Sequence, residues 1–397
     1  MPLLTVVVTA GTLAAPAQAA TTGVASVVSS TKVRFKAAAG KQNRVVVTRT
    51  GNTFTIDDRV AIKAGKGCKP VKNDKTKVRC TTTKAPTQVQ IYTYDGVDSI
   101  RNDTNVPVYA DGGTGNDVVV GGSGNDTLHG WTGADKIYGR GGEDHIWGWT
   151  GSNTIYGGAA KDTIWGGPSV DYIYGEGGKD EIFGDGGADR IHGGAERDWL
   201  LGEDGNDYIW GEDGDDYVDG RAGNDVLSGG NGQDEMHGDD GNDRVYGGPG
   251  GDFIYTYATN GEGVGADYYS GGSGHDWVTY GSYFTKAVTV DADGVTGDDG
   301  ARGERDTLAT DIESITGGFG DDVIGGRPAD DYLSGGPGND RLYGRGGSDS
   351  LHGDDGNDYL NASDDDKAYD SLNGGDDNDE CLPGDQDYAY NCENVVS

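Results

Sequence analysis

Residues 112–129 read GGTGNDVVVGGSGNDTLH, two copies of one nine-residue unit: a glycine-rich turn closed by an aspartate, then a triplet with an aliphatic centre. Counting in nines from Gly112 gives sixteen consecutive units ending at Tyr255, with no insertion. Position one is glycine in all sixteen, position four in thirteen, and position six is aspartate in fifteen, Asn153 being the exception. Position eight is always Val, Leu, Ile or Met, from Val119 and Leu128 to Val245 and Ile254. Such a fixed period marks a solenoid, in which each unit buries its apolar face only by stacking on its neighbours.

The period stops at Thr256. One isolated unit follows at 271–279, and then a stretch without the repeat in which Ala287-Val-Thr-Val-Asp291 alternates as an edge strand would. Five more units run from Gly317 to Asn361, and two degenerate ones carry Asp370 and Asp379. Upstream, Gly96, Asp98 and Ile100 fall at positions four, six and eight of a weak forerunner. The expected organisation is a leader over 1–20, a basic β-rich cap over 21–111, a first roll over 112–255, an interrupting segment over 256–316, a second roll over 317–379 and a C-terminal cap over 380–397.

Within a unit the glycines permit left-handed backbone, so the first six residues make a tight turn with inward carbonyls. The last three make a very short strand with its middle side chain buried. Each unit turns the chain about halfway, so two close a coil of eighteen residues. Coils then stack as two parallel sheets at about 4.8 Å per rung. The fold class is all-β: a parallel β-roll, or β-solenoid, of nonapeptide repeats with a small β-rich N-terminal cap. Stacking sets each aspartate about 5 Å from the next, where like charges repel by on the order of a kcal/mol each. Calcium takes six to eight oxygen donors, so carboxylates and otherwise orphaned turn carbonyls suit it; magnesium, strictly octahedral and reluctant to lose water, fits less well.

Composition makes the same demand. Leu, Ile, Val and Phe total 68 of 397 residues, about 17%, against 74 glycines and a net charge of -36. Low apolar content with high charge is otherwise the mark of disorder, so something besides burial must supply cohesion. Cancelling the charge would take about 18 divalent ions. Residues 31–90 hold 15 Lys/Arg against 3 Asp/Glu, so a basic head precedes an acidic body that excludes nucleic acid as partner and favours cations. The first twenty residues, MPLLTVVVTAGTLAAPAQAA, run from an apolar stretch into Ala17-Gln18-Ala19, a secretory cleavage pattern that predicts an extracellular protein without a membrane span. Four cysteines fall in two local pairs, Cys68 with Cys80 and Cys381 with Cys392. Three pairings are formally possible, the local one being the most economical.

The G-G-x-G-x-D-x-U-x pattern resembles the RTX, or hemolysin-type, calcium-binding repeats over 112–255 and 317–361. The resemblance implies a right-handed parallel β-roll that folds on meeting calcium outside the cell. It implies as calcium ligands the turn carbonyls and the carboxylates of Asp117, Asp126, Asp135, Asp144, Asp162, Asp171, Asp180, Asp189, Asp198, Asp207, Asp216, Asp225, Asp234, Asp243, Asp252 and Asp276, then Asp322, Asp331, Asp340, Asp349 and Asp358. The head, the cysteine loops and the acidic end resemble exported calcium-binding repeat proteins of the actinobacterial type. Departures mark weaker sites. Asn153 lacks a charge; Ala160, Ser169 and Glu196 replace the position-four glycine; and Trp131 and Trp149 at position two would narrow the turn. The coils from about 148 to 170 are therefore expected to hold calcium least tightly.

Position nine is rich in aromatics that recur every 18 residues: Tyr138, Tyr156 and Tyr174 on one sheet, Trp147, Trp165 and Phe183 on the other. Such stripes either stabilise parallel rungs or dock a glycan or cell-surface partner. The basic head caps the first rung, and cell-wall polymer is a further partner its charge would suit. No HExxH, GxSxG or P-loop is present, and the histidines fall mostly at outward positions, so no catalytic site is expected.

Overall fold

The computed structural model describes residues 22–256, 265–281, 285–302, 304–363 and 368–396; the expected leader lies outside them. Every regular element among the described residues is a β-strand. The triplets become strands such as Lys136–Gly141, Thr154–Ala159 and Tyr172–Gly177. These pair in parallel with a register of eighteen, Ile137 opposite Ile155 and Ile155 opposite Ile173. The intervening units build the facing sheet, Ile146 opposite Ile164 and Ile164 opposite Ile182. Two units therefore close each coil. The strands are longer than three residues because position nine leads on into the next unit's first residues, which also pair, as Arg140 does with Gly158.

Position-eight side chains from both sheets are wholly buried and belong to one thin core running from Ala25 to Cys381. The turns stack as closely as the strands. A Cβ placed on Gly223 at position four (φ 152°) would lie 1.3 Å from the carbonyl oxygen of Gly205, one coil earlier. Glycine is required there by the neighbouring backbone as well as by the dihedral.

The cap continues the roll without a linker. On one face the antiparallel pair Gly23–Val27 and Lys32–Lys36 joins the ladder through Gln88–Tyr92, which pairs in parallel with Val108–Thr114. On the other, Arg44–Thr50 pairs with the forerunner strand Ser99–Asn102, whose Ile100 sits opposite Val119. Cys68 and Cys80 face each other across an antiparallel pair and are bridged, as are Cys381 and Cys392 at the far end.

The interruption affects the two faces differently. On one, Trp277–Thr279 pairs directly with Ser314–Thr316, so that sheet runs unbroken into the later repeats. On the other, the long sheet ends at Thr307–Leu308 and a new one begins. There Val288–Asp291, read from sequence as an edge strand, has a partner on each side: Gly300–Ala301 antiparallel and Val323–Gly325 parallel.

Candidate metal centre

Each expected ligand but Asp331 is fixed by the backbone of the previous coil. Oδ1 of Asp144 accepts from the amide of Asp126, Oδ1 of Asp162 from Asp144, and Oδ1 of Asp225 from Asp207, all at 2.6–2.7 Å. This ladder passes through all the aspartates expected as ligands, although Asp331 departs from it in its own Oδ1 contact. With Oδ1 committed, Oδ2 is aimed into the turn. A Cβ on Gly130 would lie 2.4 Å from Asp135 Oδ2 and 2.9 Å from the Gly148 carbonyl of the next coil. Two acceptors thus face one small space. The Oδ2 atoms of Asp135, Asp144, Asp162, Asp180, Asp207 and Asp225, among many others in the columns, are buried without a hydrogen-bond partner. Asp126 and Asp322 differ, their Oδ2 accepting from Gly122 and Gly318 amides.

Asn153 reports what surrounds that point. Its Oδ1 takes the Asp135 amide, as an aspartate would, while Nδ2 donates to the Gly151 carbonyl at 2.8 Å and approaches those of Trp149 and Gly166 at 3.5 Å. The space beside each Oδ2 is therefore lined by carbonyls from positions two and four and from position one of the next coil. A carboxylate oxygen amid carbonyls, all acceptors, needs a proton or a hard cation. The donor set fits calcium. No three His, Cys, Asp or Glu side chains converge among the described residues, so backbone oxygens must supply much of any coordination.

The metal-free cost is legible in the carboxyl groups. Burial, more than neighbouring charge, lifts Asp117, Asp135 and Asp207 to about 6, Asp162, Asp189 and Asp198 to about 8, and Asp243 to about 9. Repulsion between rungs, the cost anticipated from sequence, adds to desolvation but is the smaller cause.

The ladder also takes in acids outside the expected ligand set, three of them already read from sequence in forerunner or degenerate units. Asp98, Asp370 and Asp379 take their places at position six of incomplete units. Asp267 caps the Asp243 amide, Asp306 that of Asp267, and Glu313 that of Asp276. Beyond them, Asp387 and Glu393 cap Asp370 and Asp379. The signal was there in the tails Asp267-Tyr-Tyr269, Asp306-Thr-Leu308 and Glu313-Ser-Ile315, which keep the acid and apolar residue, the last two without glycine at positions one, two and four.

Trp131 and Trp149 do not narrow the turn. Their left-handed backbone (φ 76° and 67°) turns both rings outward, where they stack 4.9 Å apart. The position-nine rings form parallel columns: Tyr138, Tyr156 and Tyr174 at 4.9–5.0 Å, and Trp147, Trp165 and Phe183 at 4.7–5.7 Å. Ring faces within a column are covered by the next ring, leaving edges to solvent. His275 Nε2 lies 2.8 Å from Ser314 Oγ; His275 is exposed and Ser314 is wholly buried.

The family model for RTX calcium-binding nonapeptide repeats matches overlapping segments that together span 111–254, and again 263–278 and 310–360, more than half of the chain. The chain belongs to the RTX calcium-binding repeat family. No curated protein matches it. The RTX match includes 263–278, where Asp267 and Asp276 enter the ladder. No helix among the described residues is long and apolar enough to cross a membrane.

Proposed function

We propose that this RTX chain works outside the cell as a calcium-gated scaffold, disordered where calcium is scarce and rigid where it is plentiful. The observation that carries the reading is the columns of buried Oδ2 atoms facing carbonyl oxygens. With its carboxylates ionised, a structure with so many acceptors turned on one another is stable only when cations join them. The aspartates of the ladder would hold the ion with Oδ2 and the turn carbonyls, Oδ1 being occupied in orienting the group. Repeated sites of this extracellular kind have affinities of about 10⁻⁴–10⁻³ M. Circular dichroism during a calcium titration, with magnesium as control, tests it. The expected result is a cooperative coil-to-β transition in calcium alone. Full sheet content in chelator at pH 9, where the ladder carboxyls are ionised, would refute the proposal.

A further inference from the structure

The repeat at 326–334 reads GRPADDYLS, with Arg327 where position two commonly carries glycine. Position-two arginines occur elsewhere in the roll, and Arg140, Arg221 and Arg345 adopt left-handed backbone, with φ of 78°, 73° and 77°. Arg327 does not. It precedes Pro328, and the proline ring drives the residue before it into extended backbone. Gly167, Gly248 and Gly336 also precede prolines, but glycine keeps positive φ there.

The consequence is an inward side chain. Arg327 Nε donates to Asp331 Oδ1 at 2.7 Å, and the Arg327 amide donates to Asp331 Oδ2. One terminal nitrogen donates to Glu313 Oε1 at 2.8 Å and to the Thr310 carbonyl at 3.3 Å. The Arg327 side chain is only 11% exposed. Asp331 and Glu313 are the position-six acids of stacked coils in the unbroken sheet, and Thr310 supplies a backbone carbonyl. Carboxylates from two coils and a carbonyl are the donors that an inter-turn calcium would use, and here they are satisfied by a guanidinium.

We propose that Arg327 is a built-in counter-ion that replaces calcium at the rung where the repeats resume after the interruption. This rests on the calcium reading above and refines it: the joint between the two repeat blocks closes with a fixed charge, and Asp331, one of the expected ligands, serves the arginine instead. The placement has a physical reason. Glu313 sits in a unit without a glycine turn, so the carbonyls that line the other sites are not assembled around it.

Native mass spectrometry at saturating calcium counts the ions. Arg327→Gly recreates the Gly-Pro turn tolerated at 167–168, 248–249 and 336–337, and is expected to bind one more calcium than the parent. Arg341→Gln, which removes an exposed arginine, is expected to leave the count unchanged. An unchanged count in R327G overturns the proposal, whereas a parent protein that binds no calcium overturns the underlying reading instead. Should R327G not fold in millimolar calcium, Arg327→Met decides. It removes the charge without making room for an ion, so it should melt below the parent in saturating calcium, and equal melting would overturn the assignment.

Discussion

At the scale of a residue, each carboxylate in the ladder does two jobs with two oxygens, and Asn153 separates them. The amide keeps the Oδ1 contact and turns the ion-facing atom into a donor. Asp207→Asn should therefore bind one calcium fewer yet hold its sheet better in chelator, since it relieves a buried unpaired acceptor that costs about 1–3 kcal/mol. Asp207→Ala, which also loses the cap on the Asp189 amide, should raise the calcium midpoint without abolishing the transition. Ion counts and titration midpoints on the two variants check this; identical behaviour would show that Oδ2 is not where the metal acts. The reverse change, Asn153→Asp, should add an ion.

Protons address the same oxygens. The ladder's folded-state values, about 6 to 9 for the groups cited above, exceed the ordinary carboxylate value of 3.8. A raised value means that the folded state holds the proton more tightly. That contribution to metal-free stability is complete below about 3.8 and is lost as pH rises through about 6 to 9. In chelator, sheet content absent at pH 9 should return on acidification to pH 5. In calcium, the midpoint should rise as pH falls below about 7, because protons compete. A chelated protein whose circular dichroism does not change over this range would contradict the burial of these groups.

At the scale of an element, a rung is a short strand whose single buried side chain meets copies of itself above and below. Ile164, wholly buried between Ile146 and Ile182, is such a residue. Ile164→Ala should cost about 2–5 kcal/mol through lost burial and a cavity, read as a lower melting temperature at saturating calcium with an unchanged ion count. A lost ion would mean that core and metal sites are not separable. The ring columns act at the same scale. Their faces are consumed by one another, so Trp165→Ala should remove about 0.5–1.5 kcal/mol of stacking and read chiefly as stability.

For the whole molecule, cohesion is divided unequally. The cap has antiparallel sheets, a disulfide and buried Phe35, Phe54, Ile56 and Ile91, an ordinary apolar interior in a chain otherwise poor in one. Hydrogen exchange in chelator should leave amides of the cap strands protected while the repeats from Gly112 onward exchange; uniform exchange along the chain would deny the cap its own core. On calcium addition protection should spread from the cap, where the first rung already has a template.

By itself the sequence determined the period, the pairing of alternate units, the buried position eight and the aspartate columns, because a nine-residue unit stacked on copies of itself leaves each position one possible neighbour. Position 155 can only meet 137 on one side and 173 on the other. The tertiary structure decided what happens where that rule lapses. Asp306 and Glu313 lack the glycine turn, and only the stacking of Leu308 and Ile315 on the rungs before them brings their carboxylates into line. The inward turn of Arg327 and the outward turn of Trp131 were likewise hidden, since both stand at position two and differ in a backbone angle that the following residue sets. Local repetition fixes contacts between like units; contacts between unlike ones depend on the path of the chain between them.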